Sequence, residues 1–166
     1  TISVSAFLLN RSSDLEIQAC SGLTGTLTIP GTVTTIGQSA FYNCTGFTGT
    51  LTILDSVTSI GGSAFSGCTG FTGNLVLPNN LTTVEYSVFK GCTGFTGTLT
   101  IPDSVTSIGS EAFSLDNFTG QLVLPSNLVS IGNNAFNSND FTGTLTIPNT
   151  VTSIGDFAFN KCNGIT

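Results

Sequence analysis

The stretch GTLTILDSVTSIGGSAFSGCTGFT, residues 49–72, decides the fold because the chain repeats it with small changes to its end. The tetrapeptide that opens each repeat starts at Leu27, Leu51, Leu75, Leu99, Leu122 and Leu145, which gives periods of 24, 24, 24, 23 and 23 residues. Self-similarity at a period of about 20–50 residues is typical of stacked repeats. A unit this short cannot bury its apolar residues alone, so neighbouring units share one core. We therefore expect one repeat solenoid, mainly β, of about six coils.

Each repeat begins with two segments that favour extended structure. In the first, Leu27 and Ile29 alternate with threonines, the period-two pattern of a half-buried strand that Pro30 ends. The second, residues 33–36, is rich in β-branched residues and is predicted to be a second short strand or extended run. Glycine closes it in five repeats, and we expect positive φ there; these residues are Gly37, Gly61, Gly109, Gly132 and Gly155, whereas Glu85 takes the position in the third repeat.

Phenylalanine recurs in two columns, which together hold eleven of the 13 Phe residues. The first column is Phe41, Phe65, Phe89, Phe113, Phe136 and Phe159, and the second is Phe47, Phe71, Phe95, Phe118 and Phe141. Neighbouring coils of a parallel stack lie about 4.8 Å apart, which lets each ring pack on the next. The pattern predicts an internal aromatic spine and not an aromatic binding site.

The five cysteines follow the same period. Cys20, Cys44, Cys68, Cys92 and Cys162 hold one position of the repeat, which Asp116 and Asn139 fill in between. A position that accepts Cys, Asn or Asp indicates a small side chain that bonds the turn backbone, so a ladder of structural thiols is our main interpretation. Adjacent positions lie close enough for a disulfide, so a Cys20–Cys44 or Cys68–Cys92 bridge is the alternative. With no His and no Cys-x2-4-Cys spacing, we expect no metal site and no cofactor.

Composition argues against several classes of function. Only 7% of residues are charged, the net charge is -6, and the bases are Arg11, Lys90 and Lys161. A nucleic acid or an anionic membrane needs a basic surface, so we expect neither partner. No apolar run approaches the roughly 18 residues of a membrane span. His is absent and the nine carboxylates are scattered over different turns, so we expect no enzyme.

The outward positions of the first segment are the candidate binding face. They are Thr26, Thr28, Thr50, Thr52, Asn74, Val76, Thr98, Thr100, Gln121, Val123, Thr144 and Thr146. Such a surface favours weak, multivalent, salt-insensitive binding, because its contacts are hydroxyls, amides and methyls. The Thr-x-Thr pairs also resemble those of ice-binding proteins, although both threonine columns are interrupted twice, by Asn74 and Val76 and by Gln121 and Val123. A third hypothesis is structural: an uncapped stack can associate end to end into a fibre.

The two ends of the chain depart from the full repeat. Residues 1–15 fit the period poorly and are a possible N-terminal cap, and residues 16–166 form the repeats of a single domain 1–166. Residues 162–166 match residues 44–48, so we expect an array that is cut within a repeat.

Possible glycosylation sites stand at Asn10, Asn43, Asn80 and Asn117, and Asn80 lies in a predicted turn.

The phrase LTIPDSVTSIGSEAFS of residues 99–114, together with residues 51–68, closely resembles the BspA-like leucine-rich repeats. The resemblance covers residues 16–166; it departs from the family pattern at Leu54, at Glu85 and at one-residue deletions near 115–117 and 138–140. It implies a leucine-rich-repeat stack in a secreted or cell-surface protein of host-associated bacteria or some protists. It also implies adhesion to a host, matrix or cell-surface protein or glycan, a function carried by analogy.

Overall fold

A computed structural model describes residue 20 and residues 22–166, so the predicted N-terminal cap lies outside the described residues. The described chain winds into six stacked coils, each beginning at a glycine: 25–48, 49–72, 73–96, 97–119, 120–142 and 143–166. The coils consist of two- to four-residue strands and turns, with no helix in the described part. The predicted repeat solenoid, mainly β, is confirmed.

Eleven short strands lie along the stack, and every pairing between them is parallel because the same segment of successive coils aligns. They are β1 (Thr35–Ile36), β2 (Ser59–Ile60), β3 (Leu75–Val76), β4 (Thr83–Val84), β5 (Leu99–Thr100), β6 (Ser107–Ile108), β7 (Thr119–Gly120), β8 (Ser130–Ile131), β9 (Asp140–Gly143), β10 (Ser153–Ile154) and β11 (Gly164–Ile165).

The second segments form the longest ladder. β1 pairs with β2, and β4, β6, β8 and β10 form one four-stranded sheet, with Ile108 aligned to Ile131. The β-branched residue that points inward, such as Ile108 or Ile131, is buried in coils one to five. The prediction of a second short strand is therefore confirmed. The ladder is interrupted between β2 and β4.

The residue that closes the second segment explains this interruption, because it is glycine in five coils and Glu85 in coil three. The expectation of positive φ at these glycines is wrong, because none of them lies in that region. Their role is close approach: a Cβ at Gly132 would lie 2.5 Å from Ser110 N, and one at Gly109 would lie 2.7 Å from Tyr86 N. Glu85 brings a Cβ to this position in coil three, which explains why the ladder breaks between β2 and β4.

The first segments alternate as predicted but pair less completely. β3 pairs with β5, and an isolated bridge joins Thr28 to Thr52. Burial nevertheless follows the pattern, since Leu75 is buried and Val76 is 56% exposed. The segments around the second phenylalanine column form a third ladder, in which β9 lies between β7 and β11.

The third segment, which contains the Ala-Phe pair, is a run of turns that also forms a ladder. In coil two the N–H groups of Ser63, Phe65 and Gly67 donate to carbonyls of coil three at 2.8–2.9 Å. Ser63 has a φ of 57°, and the same position has positive φ in every coil. Non-glycine residues rarely adopt this region, so the inter-coil hydrogen bonds stabilise a conformation that propensity disfavours.

The two phenylalanine columns form the predicted spine. Rings of the first column stack with centroids 5.1–5.7 Å apart, and those of the second stack at 5.3–6.3 Å. Within a coil the two rings meet edge to face at 6.1–6.5 Å. Both arrangements suit the ring quadrupole, so the columns lock the coils in register as well as burying apolar area.

Candidate binding surface

The twelve outward residues of the first segments, here called the first-segment face, are all exposed. The face comprises Thr26, Thr28, Thr50, Thr52, Asn74, Val76, Thr98, Thr100, Gln121, Val123, Thr144 and Thr146. Their neighbours Leu51 and Ile53, for example, point inward and are buried. The alternation therefore fixes the face rigidly on the core, and it leaves twelve uncharged side chains in contact with solvent along six coils.

Apolar exposure on this face is concentrated at two positions. Val76 is 56% exposed and Val123 is 66% exposed, more than any other valine of the described chain. Val76 lies beside Thr100 in the β3–β5 register, so a methyl-rich pair stands at the middle of the stack. Both valines occupy positions where other coils carry threonine.

Two members of the face hold neighbouring coils together. Asn74 Oδ1 accepts a hydrogen bond from Thr98 N at 2.8 Å, and Gln121 Nε2 donates to Thr144 O at 2.9 Å. Gly97 leaves room for the first of these bonds, because a Cβ there would collide with the Asn74 side chain. Sequence reasoning placed these amides on the face but missed their role between coils, which depends on which backbone ladders are incomplete.

A crevice of about 380 Å³ opens on the face between coils five and six. Its lining includes Gln121, Val123 and Thr146, which were predicted for the face, and also Leu122, Leu124, Ser126 and Pro148, which were not. Among the described residues, no backbone hydrogen bond joins 122–125 to 145–148. Leu122 and Leu124 line the crevice although both are largely buried.

The turns after the first segments form an edge beside the face. Asp55 accepts hydrogen bonds from the backbone and side-chain amides of Asn79, and Asp103 accepts them from the backbone N–H and hydroxyl of Ser126. The backbone hydrogen bond is the main reason that the pKa of each carboxyl is lowered. These acids thus link successive coils rather than stand free for a ligand.

The cysteine position requires a correction. Cys20 and Cys44 are joined by a disulfide with Cα atoms 4.7 Å apart, so the interpretation as thiols throughout is wrong for this pair and the alternative bridge is present. Cys68, Cys92 and Cys162 are free and buried. Sequence could not select the bridge, because the same spacing recurs between Cys44 and Cys68, and between Cys68 and Cys92.

The free thiols share one acceptor geometry. Cys68 Sγ donates to Phe41 O at 2.9 Å, and Cys92 and Cys162 donate to the corresponding phenylalanine carbonyls at 3.0 Å. Burial raises the pKa of Cys68 to about 12. A thiol of this pKa is an inert hydrogen-bond donor at neutral pH.

Asp116 and Asn139 take the same position with different results. Asn139 Nδ2 donates to Phe113 O at 2.7 Å and to Phe136 O at 3.0 Å. Asp116 Oδ1 accepts from Cys92 N at 2.6 Å, but Oδ2 is buried without a partner. Burial raises the pKa of Asp116 well above its ordinary value, against the opposing hydrogen bond from Cys92.

The remaining predicted sites stay predictions. Asn43, Asn80 and Asn117 are exposed, while Asn10 lies outside the described residues. Asn80 Nδ2 donates to Asp55 O and Asn117 Nδ2 donates to Thr93 O, so a glycan on either would replace an inter-coil hydrogen bond. Within 20 and 22–166, no group of three or more His, Cys, Asp or Glu side chains could hold a metal ion. Nor does that part of the chain contain a helix able to cross a membrane.

Comparison with known families agrees with the repeat geometry. The model of the BspA type leucine-rich repeat region matches residues 18–94 and 34–166, with six copies. The chain belongs to this family. The resemblance seen in residues 99–114 is thus confirmed, and the departures at Leu54 and Glu85 lie within matched repeats. No protein of curated function matches the chain significantly.

Solved structures show the same repeat. A leucine-rich repeat protein from Bacteroides ovatus is 29% identical with a TM-score of 0.51, over 80% of this chain and 28% of that one. A leucine rich cell surface protein from Faecalibacterium prausnitzii is 27% identical with a TM-score of 0.51, over 87% of this chain and 38% of that one. The T. pallidum leucine-rich repeat protein, 22% identical with a TM-score of 0.55 over 81% of this chain and 72% of that one, shares the fold. This BspA-type chain thus spans less than two fifths of the first two relatives.

Proposed function

We propose that this BspA-type chain is a non-catalytic binding domain, displayed outside the cell or on its surface, that recognises another protein through the first-segment face. The observation that carries the proposal is the exposed and uncharged row of twelve side chains, which alternate with buried core residues. The name of the Faecalibacterium relative, a leucine rich cell surface protein, supports the location.

The chemistry of the face favours a protein partner over a glycan. Val76 and Val123 are its most exposed apolar side chains, and the face carries no aromatic ring on which a sugar could stack. The crevice beside Val123 can take an apolar side chain, flanked by the Ser126 and Thr146 hydroxyls. A small apolar centre with polar surroundings is the usual anatomy of a protein interface.

The absence of charge on the face sets the character of the binding. Without complementary charges, association lacks electrostatic steering and its rate is ordinary. Each coil offers similar contacts, so affinity grows with the number of coils engaged rather than from one dominant residue. We expect weak binding that changes little with salt.

A direct test presents the chain, with its Cys20–Cys44 disulfide intact, to arrays of extracellular-matrix proteins, host cell-surface proteins and glycans. Hits are then measured by biolayer interferometry at low and high salt. Saturable protein binding with little salt dependence supports the proposal. Binding to glycans alone, or binding that salt abolishes, contradicts it.

The lysine variant Thr50→Lys, Thr98→Lys and Thr144→Lys locates the site. All three residues are exposed, so the fold should survive while three charges block the face. A matched control places three lysines on the second-segment side at Thr35, Ser59 and Ser153, which are also exposed. Loss of binding in the control alone would move the site to the other side of the stack.

Self-assembly is a second candidate, because a stack of like coils that pair in parallel can take a second copy head to tail. Analytical ultracentrifugation and electron microscopy separate the two functions: fibres indicate assembly, and a monomer that still binds indicates recognition. The ice-binding hypothesis predicts thermal hysteresis, which a protein-binding domain should lack.

A further inference from the structure

Outside the Cys20–Cys44 disulfide, one position of the repeat contributes a hydrogen-bond donor to the core in every coil except at Asp116. Cys68, Cys92 and Cys162 donate through their thiols and Asn139 donates through its amide, in each case to a phenylalanine carbonyl of the preceding coil. An ionised carboxylate has no proton to donate. Asp116 is 1% exposed, so it cannot turn to solvent instead.

We propose that Asp116 is held in the folded solenoid as a neutral carboxylic acid, whose Oδ2–H donates between coils three and four as the Asn139 amide does between coils four and five. Two features of the structure carry this. Oδ2 is buried without a partner, while Oδ1 already accepts from Cys92 N at 2.6 Å. The carbonyls equivalent to the two that Asn139 uses are those of Phe89 and Phe113.

The surroundings of Asp116 offer a negative charge the hydrogen bond from Cys92 N but no basic side chain. From the preceding coil it faces the buried Cys92, whose thiol donates to Phe65 O and whose pKa is raised, first by burial and then by Asp116. From the following coil the same position brings Asn139, which does not titrate. No basic side chain contributes to the pKa shift of Asp116. A buried charge without a partner is strongly unfavourable, so the proton is retained.

The consequence is a junction that is stronger in mildly acidic than in neutral surroundings. The folded chain binds a proton that the unfolded chain releases at the ordinary carboxyl pKa of 3.8. The contribution of Asp116 to stability is therefore full below that value, and it is lost as the pH rises towards the raised folded pKa. Because unfolding releases at most one proton from Asp116, the unfolding constant changes by at most tenfold per pH unit. Because each coil contacts only its neighbours, the weakening is local to coils three and four.

Two substitutions at this position of the repeat, one in each of two neighbouring coils, test the proposal. Asp116→Asn supplies a permanent donor, so denaturant unfolding of this variant relative to the parent chain should show a stability gain that widens with pH, by up to tenfold in the unfolding constant per unit. Asn139→Asp should import the same pH dependence into the next junction. Asp156→Asn removes an exposed carboxylate and should leave the pH profile unchanged. Parallel profiles for the parent chain and Asp116→Asn would overturn the proposal.

Carboxyl NMR provides a second readout that does not depend on any variant being more stable. In the chain labelled with 13C-aspartate, the resonance missing from Asp116→Asn should keep the chemical shift of a protonated acid after the exposed aspartates have titrated. A resonance that titrates together with them, or before them, shows that Asp116 is ionised and contradicts the proposal even if Asn139→Asp fails to fold.

Discussion

The rings of Phe65 and Phe89 lie parallel, with their centroids 5.4 Å apart and their planes within 1° of each other. Both side chains are fully buried, and each also meets a second ring of its own coil edge to face. The Phe89 ring therefore joins its own coil to the coils on both sides through aromatic packing. The stacking of this recurring phenylalanine fixes the register between successive coils.

Truncating the central ring should be costly. Phe89→Ala removes stacking on both sides, to Phe65 and to Phe113, and leaves a cavity that rigid coils cannot close. We expect a loss of about 3–5 kcal/mol in the free energy of unfolding. Denaturant melts with the disulfide intact measure it, and a loss under about 1 kcal/mol would show that the ring is not part of the core.

Phe157→Ala is the matched control for that truncation. Phe157 is 68% exposed and lies outside both columns. Its removal should change the free energy of unfolding by no more than about 0.5 kcal/mol. A cost equal to that of Phe89→Ala would show that the two Phe environments are not distinct.

Close packing between coils gives a second prediction. Gly132→Ala places a Cβ 2.5 Å from the backbone of Ser110, whereas a Cβ at Gly37, the same position of coil one, meets no atom of the described residues within 4 Å. Neither glycine has positive φ, so strain of the backbone itself does not differ. We expect Gly132→Ala to cost about 1–3 kcal/mol by overpacking and Gly37→Ala to be nearly neutral, measured in the same denaturant melts. Equal effects would show that the glycines are not needed for inter-coil approach.

The repeat period predicts which residues are buried and which form the core. It does not predict backbone angles or hydrogen bonds that depend on contacts of single residues. Alternation placed Leu75 inside and Val76 outside, and recurrence placed Phe89 in the core, because these follow from stacking identical units. It did not predict positive φ at Ser63, since serine has no strong preference for that region and only the neighbouring coil's carbonyls stabilise it. The inter-coil bond of Asn74 also depends on local gaps between coils that no residue pattern records.

The cysteines give a third prediction, readable by mass. In denaturant without reductant, alkylation should modify three thiols, those of Cys68, Cys92 and Cys162, and prior reduction should raise the count to five. In the native chain the three should react slowly, because they are buried and, at Cys68, the pKa is about 12. Five modifications without reductant would contradict the Cys20–Cys44 bridge.

The turn acids should respond to pH in the direction opposite to Asp116. The pKa of Asp103 is lowered in the fold by its hydrogen bonds from Ser126, so its contribution is present above the ordinary carboxyl value of 3.8 and is lost as the pH falls through the lowered folded value. Asp103→Ala should therefore lower the melting temperature at neutral pH and lose this effect in strong acid. A difference that persists unchanged in acid would show that the carboxylate is not the stabilising group.

The most direct measurement of the central claim is the affinity of the two lysine variants for the same protein partner, side by side with the parent chain. Circular dichroism melts first establish that both variants remain folded. Lysines at Thr50, Thr98 and Thr144 should abolish binding, while lysines at Thr35, Ser59 and Ser153 should leave it within about threefold, a difference of less than 1 kcal/mol. Retained binding in the first variant, or equal loss in both, would contradict recognition through the first-segment face.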